Sequence, residues 1–168
     1  ASNKLFVDNI NTGPIRYNAR IFSEGGGLRI PHLIEQMKDG VIYLTFTRFQ
    51  RVPIIAIIKA LGIIKDQEIT MAISDEKQYD DIFVNLFKCV NIKSQEDAID
   101  HLARESGIAQ VKEIKMERTF EQLDKYLLPH LGTKKEDRII KAHNLCKLIK
   151  RFLMVSRDGK SMSDKDHY

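Results

Sequence analysis

A chain of 168 residues with 43% hydrophobic content can bury one proper core, so one domain is expected. Its 27 Lys and Arg stand against 23 Asp and Glu, a net charge of +4 with no long block of one sign; this permits a nucleic-acid or acidic partner without demanding one. Two cysteines at no metal or redox spacing fit a reducing cytoplasm, and the longest apolar run, residues 52–60, contains a proline and is far too short to span a membrane.

The first fifty residues read as strands. Ile15, Tyr17, Ala19 and Ile21 alternate with Arg16, Asn18 and Arg20, the period of a half-buried strand. "SEGGG" at residues 23–27 interrupts that period and "LRI" resumes it, which predicts a hairpin. Asp39-Gly40 is a second turn signal, followed by the strand formers "VIYLTF". A small antiparallel sheet follows from these patterns.

From Pro53 the period becomes helical. "PIIAIIKALG" opens with a proline that suits a first helical position and closes with Gly62, so it reads as a short helix hidden nearly all round. Asp66 can cap a brief helix carrying Ile69, Ala72 and Ile73. Tyr79, Ile82, Phe83, Leu86 and Val90 mark one face of a longer one. Three capping boxes follow: a weaker one at Ser94 with Asp97, then Thr119 with Gln122 and Thr133 with Glu136. Behind them run Ala98, Ile99 and Leu102; Phe120, Leu123 and Leu127; and Ile139, Leu145, Ile149 and Leu153, with Gly107, Pro129 and Gly132 as stops. Lys147, Lys150 and Arg151 project opposite the last apolar face, into solvent or towards a partner. The chain reads as an α+β domain, a mostly helical body with a small N-terminal antiparallel sheet. Its parts are a β-rich 1–50, a helical 51–156 and a connector 157–168. Ile54, Ile57, Ile58, Phe83, Leu86, Leu123 and Ile149 are expected in one shared core.

Little in the sequence points to catalysis. "GKS" at residues 159–161 lacks the glycine that a phosphate loop needs where Met154 stands, and it follows a helix, not a strand. His143 and Cys146 lie three apart but have no second ligand pair, so they read as core residues bordering the apolar stripe. Asp100 and His101 read as a solvated helix surface. Asp164, Asp166 and His167 would suit a metal-dependent hydrolase, yet they occupy the last five residues, where little holds them. Among the basic residues, Arg48 and Arg51 flank Phe49 and Gln50 at the join of sheet and helices, and Arg16 and Arg20 share one strand face. Such groups can neutralise backbone phosphates without reading sequence, and Arg48 and Arg51 are the nucleic-acid-binding candidates.

Four motifs carry a resemblance. "VPIIAIIKALGIIKDQEI" at residues 52–69 resembles the signature stretch of the lobe domain in the second-largest subunit of multisubunit RNA polymerase, of the archaeal and eukaryotic nuclear type. Pro53, Ala60, Leu61 and Gly62 match that stretch, while Ile58 and Lys59 replace its common aromatic and Arg. "LLPHLG" at 127–132 is similar to the family's F-L-P-H segment, and "KLIKRFLMVSRDG" to its M-I-x-R-L-L stretch. "SDKDHY" is similar to D-D-R-D-H-F/Y, matched by Asp164, Lys165, Asp166, His167 and Tyr168, with Ser163 where an Asp is often found. That motif normally continues into a basic run, so the ending is expected to be a connector cut short, more mobile than the helix before it.

The resemblance implies a structural part of an enzyme. It places the catalytic magnesium in the largest subunit, so this domain would hold no metal, no cofactor and no catalytic residue. It implies a lobe that lines the downstream DNA channel, contacts the other polymerase subunits and docks initiation and transcript-cleavage factors. The alternative reading is a cytoplasmic helical adaptor that binds proteins without nucleic acid.

Overall fold

A computed structural model describes Leu5 and residues 7–74 and 80–157. Among the described residues five strands come first: β1 (Val7–Thr12), β2 (Ile15–Gly25), β3 (Leu28–Met37), β4 (Ile42–Phe46) and β5 (Phe49–Pro53). They form one antiparallel meander in which every strand pairs with its chain neighbour. Six α-helices follow among the described residues: α1 (Ile54–Ala60), α2 (Asp66–Ser74), α3 (Asp80–Lys88), α4 (Gln95–Glu105), α5 (Lys112–Tyr126) and α6 (Arg138–Arg157). The α+β expectation holds.

The alternation in β2 does what its period predicts. Ala19, Ile21 and Ser23 turn inward, and Arg20, Phe22 and Glu24 face solvent. From β3, Ile30, His32, Ile34 and Gln36 join the inner face. The glycine-rich hairpin turns at Gly26 and Gly27. The helix after Pro53 is also as expected: all seven residues of α1 are buried, because α4 and α6 pack around it.

One core joins sheet and helices. It contains Ile54, Ile57, Ile58, Leu86, Leu123 and Ile149 as expected. Phe83 does not belong to it, being 52% exposed, and Val90 is also exposed. The cause is polar. On α3 the Asn85 amide accepts from Ile42 N–H (2.7 Å) and donates to Gly40 O (3.0 Å), and Gln36 Nε2 donates to Asp81 Oδ2 (2.9 Å). These bonds fix the helix on the β3–β4 turn with Ile82, Leu86 and Cys89 inward, which leaves Phe83, Phe87 and Val90 outward.

The capping signals fared unequally. Ser94 Oγ accepts from Asp97 N–H (3.0 Å), and the Asp97 carboxylate accepts from Lys93 N–H (3.1 Å), so α4 starts as expected. Thr119 caps nothing: it is buried within α5, and its hydroxyl donates to Lys115 O at 2.8 Å. A mid-helix threonine can satisfy itself on the carbonyl four residues back, and that pattern mimics a cap in sequence. Thr133 is exposed, and the turn before α6 is closed one residue later, where Asp137 accepts from Lys134 N–H at 3.0 Å. Ile139, expected on the inner face of α6, is 46% exposed. Asp66 begins α2 but turns its carboxylate to Lys59 Nζ, 3.2 Å away.

The "LLPHLG" segment latches the helical body onto the β2–β3 hairpin. Leu128 takes a left-handed φ of 44° and starts a single 3-10 turn, Pro129–Leu131. His130 N–H donates to Ser23 Oγ (2.9 Å), whose hydroxyl meets His130 Nδ1 at 2.6 Å. Leu128 N–H donates to His32 Nε2 (3.1 Å), and His32 Nδ1 reaches Ile30 O (3.1 Å). Gly25 makes this approach possible, since a Cβ there would lie 2.1 Å from Pro129 O.

Candidate nucleic-acid interface

Arg48 and Arg51 sit on the β4–β5 hairpin, whose two-residue turn is Thr47–Arg48. The backbone is unusual at two points: Thr47 and Arg51 both have φ of 45°, a region non-glycine residues seldom adopt. Phe46 pairs with Phe49 and Leu44 with Val52, so Thr45 faces both Gln50 and Arg51 in a bulge. Arg51 N–H therefore donates to Thr45 Oγ1 (2.9 Å) instead of joining the ladder.

The bulge aims Arg51 across the outer face of the sheet. Its guanidinium donates to both oxygens of Glu35, from Nε at 3.1 Å and from Nη2 at 3.3 Å. Glu35 is buried, and a buried carboxylate needs such a partner. Arg51 itself is about half exposed and lines an open cavity of about 510 Å³. Pro14, Met37, Lys38, Asp39 and Tyr43 complete that cavity. Arg48 points elsewhere: its Nε donates to Ser106 O (3.2 Å) at the C-terminal end of α4, where a cation also suits the helix dipole. The two arginines thus share a hairpin but serve different partners. Arg16 and Arg20 are exposed, Arg16 lying 5.2 Å from the Tyr17 ring centroid.

The metal and acid–base candidates His143, Cys146, Asp100 and His101 differ in burial and in partners. His143 is exposed while Cys146 is fully buried, so only the cysteine is a core residue. Burial pushes the thiols of Cys89 and Cys146 up to about 11 and about 12, which keeps both protonated. Asp100 is not merely solvated, since it pairs with Lys115 (3.1 Å) and Arg104 (3.4 Å). His101 is partly buried, and burial lowers its pKa despite Glu105, whose carboxylate lies 3.8 Å from Nε2. Among the described residues no three His, Cys, Asp or Glu side chains gather as a metal site. Arg157, the first residue of the expected connector, is the last of α6; residues 158–168, with the 159–161 motif, Asp164, Asp166 and His167, lie outside the described residues.

Sequence reasoning overlooked the buried polar groups. Lys59 is 3% exposed; its ammonium donates to Cys89 O (3.3 Å) and Ile92 O (2.9 Å) beside Asp66. Lys141 donates to Leu123 O (3.4 Å) and Asp124 O (2.9 Å) at the end of α5. His32 is fully buried, and its pKa is lowered to about 4, first by burial and further by His130 and Lys141, against the Ile30 hydrogen bond. The only prior signal was parity, since His32 falls between inward Ile30 and Ile34, and Lys141 falls on the inner arc of its helix.

The geometry defines an α+β module whose sheet and helical body share one core and are tied by buried polar clamps. Residues 17–168 match the model of the family described as RNA polymerase Rpb2, domain 2. The chain is similar to the DNA-directed RNA polymerase subunit Rpo2 of Saccharolobus solfataricus, at 35% identity across all of this chain and 15% of the relative. It is similar to subunit Rpo2N of Methanocaldococcus jannaschii at 33% identity, over 94% of this chain and 32% of the relative. Rpo2N of Halobacterium salinarum is 28% identical over 89% of this chain and 30% of the relative. The chain belongs to the RNA polymerase Rpb2, domain 2 family, the lobe domain of the second-largest subunit that its motifs resemble. It spans between 15% and 32% of the length of these relatives.

Proposed function

We propose that this domain acts as a non-catalytic lobe within a cytoplasmic DNA-directed RNA polymerase. In this reading it lines the downstream DNA channel and docks initiation and transcript-cleavage factors, while the catalytic magnesium is held elsewhere and the domain needs no cofactor. The observation that carries the proposal is the likeness of the entire chain to a segment of Rpo2, a polymerase subunit. The half-exposed Arg51 and the exposed Arg48, on the same hairpin, offer guanidinium groups to backbone phosphate.

The test places a photo-crosslinking residue at Thr47, the exposed tip of the β4–β5 hairpin, in the intact subunit assembled into polymerase. Crosslinks to the downstream duplex on a stalled complex are expected. A subunit that does not enter polymerase overturns the assignment; one that enters but crosslinks no DNA removes the hairpin from the channel wall.

A further inference from the structure

The positive charge of this chain is concentrated in one place. Residues 134–157, which are α6 and the turn before it, hold eight Lys and Arg against two acids, Glu136 and Asp137. The rest of the chain carries slightly more acidic than basic residues, so the whole net charge of +4 comes from this segment. Within α6 there is no acidic residue at all.

These cations divide by helix face. Arg138 is bound by Asp124 through two bonds of 2.7 Å, and Lys141 lies on the inner arc against α5. The inner arc also carries Leu145, Ile149 and Phe152, all buried. On the opposite arc, one helical turn apart, stand Lys147, Lys150 and Arg151, with the imidazole of His143 in line before them. His143 and Lys147 are exposed; Lys150 and Arg151 are half-exposed and also engage groups within the chain.

We propose that this stripe on α6 binds the phosphate backbone of duplex DNA without reading its sequence. The inference rests on the DNA-facing role proposed above and names a contact surface other than the β4–β5 hairpin. Lysines are point charges on flexible stems, which suits phosphate without fixing a geometry against a base edge. Asn144, the neighbouring amide, is already used on Ile140 O at 2.9 Å. A protein partner would call for a large anchor at the centre of the patch. Here the centre is cationic, and the apolar side chains of this arc stand at its two ends, the exposed Ile139 and Ile140 at one and the half-exposed Met154 at the other.

The test is fluorescence anisotropy of the 168-residue chain with a random-sequence duplex, between about 50 and 200 mM salt. Lys147→Glu combined with Lys150→Glu is expected to weaken binding at least tenfold at the low-salt end, on the order expected for lost phosphate contacts. Lys147→Gln, an exposed and milder change, should reduce the log–log salt slope by about one. If circular dichroism shows the double variant misfolded, the single variant decides. An unchanged slope in folded Lys147→Gln overturns the stripe; loss of binding only in Arg48→Ala with Arg51→Ala returns DNA contact to the hairpin. A parent chain that binds no duplex at the lowest salt overturns both readings for the isolated domain. Displacement of the duplex by polyglutamate at equal charge concentration overturns the nucleic-acid assignment in favour of an acidic protein.

Discussion

Among the described residues two lysines are buried almost completely, on the first and the last helix in chain order, and they are held differently. Lys59 on α1 has two carbonyls and the carboxylate of Asp66. Lys141 on α6 has two carbonyls alone, because the nearby Asp124 carboxylate is committed to Arg138. Burial pulls the Lys141 pKa down to about 8, against the pull of Asp124 and Asp137 and with a further push from Arg138. The contrast shows that a count of basic residues is a poor guide to a DNA surface. On α6 alone, Lys141 is a clamp and Lys147, six residues on, is free to meet solvent. Helix face decides which, before any charge is considered.

The sharpest break of this comparison is Lys59→Ala. It removes a four-carbon stem from the core and strands the carbonyls of Cys89 and Ile92 at the α3–α4 connection. A cavity plus two orphaned acceptors should cost about 4 kcal/mol, read as a lower urea midpoint. A loss under about 1 kcal/mol would mean that α1 is held by its isoleucines alone, with the lysine incidental.

The sheet side of the molecule supplies the second break, because its latch needs an uncharged imidazole. His32 accepts Leu128 N–H at Nε2, which requires that nitrogen to be unprotonated. Its native pKa of about 4 lies below the ordinary value of 6.5, so the unfolded chain binds more protons between those two pH values. Stability should therefore rise with pH across that window. The contribution is complete above pH 6.5 and lost as pH falls towards 4, by up to about 3 kcal/mol. Urea midpoints from pH 4 to 7 should show this slope in the parent chain and a flatter one in His32→Gln. Equal slopes would place the acid sensitivity elsewhere.

How much of this was legible beforehand follows from which signals are local. Strand β2 and helix α1 were readable because alternation and the Pro53–Gly62 bracket lie within single segments. Strand β5 was not, since its bulge at Gln50 and Arg51 destroys the alternation by which a strand is recognised. Helix α3 carries two apolar stripes, Ile82–Leu86–Cys89 and Phe83–Phe87–Val90, and periodicity cannot choose between them. The choice is made by Asn85 and Asp81 through bonds to Gly40, Ile42 and Gln36, more than forty residues earlier. At the candidate site, Arg48 and Arg51 could be picked out as basic residues at a junction. Their partners, Ser106 and Glu35, are fixed only by the tertiary fold.

The weaker clamp gives the smallest expected effect and the finest discrimination. Lys141→Met keeps most of the stem volume and orphans two carbonyls at the end of α5, for a cost of about 1 to 2 kcal/mol at pH 7. Its pH dependence tests the clamp a second way. Native Lys141 releases its proton near pH 8, while a lysine in the unfolded chain holds its proton to about pH 10.4. Between those values the unfolded parent chain binds more protons than the folded one, so parent stability gains with pH while the methionine variant has no such group. The deficit of Lys141→Met should therefore widen from pH 8 towards pH 10, with the neutral amine still donating to the two carbonyls. A deficit that stays level to pH 10, compared by urea midpoints of both proteins, would mean that Lys141 remains an ammonium there. Its carbonyl cradle would then hold a charge without the carboxylate that Lys59 has in Asp66.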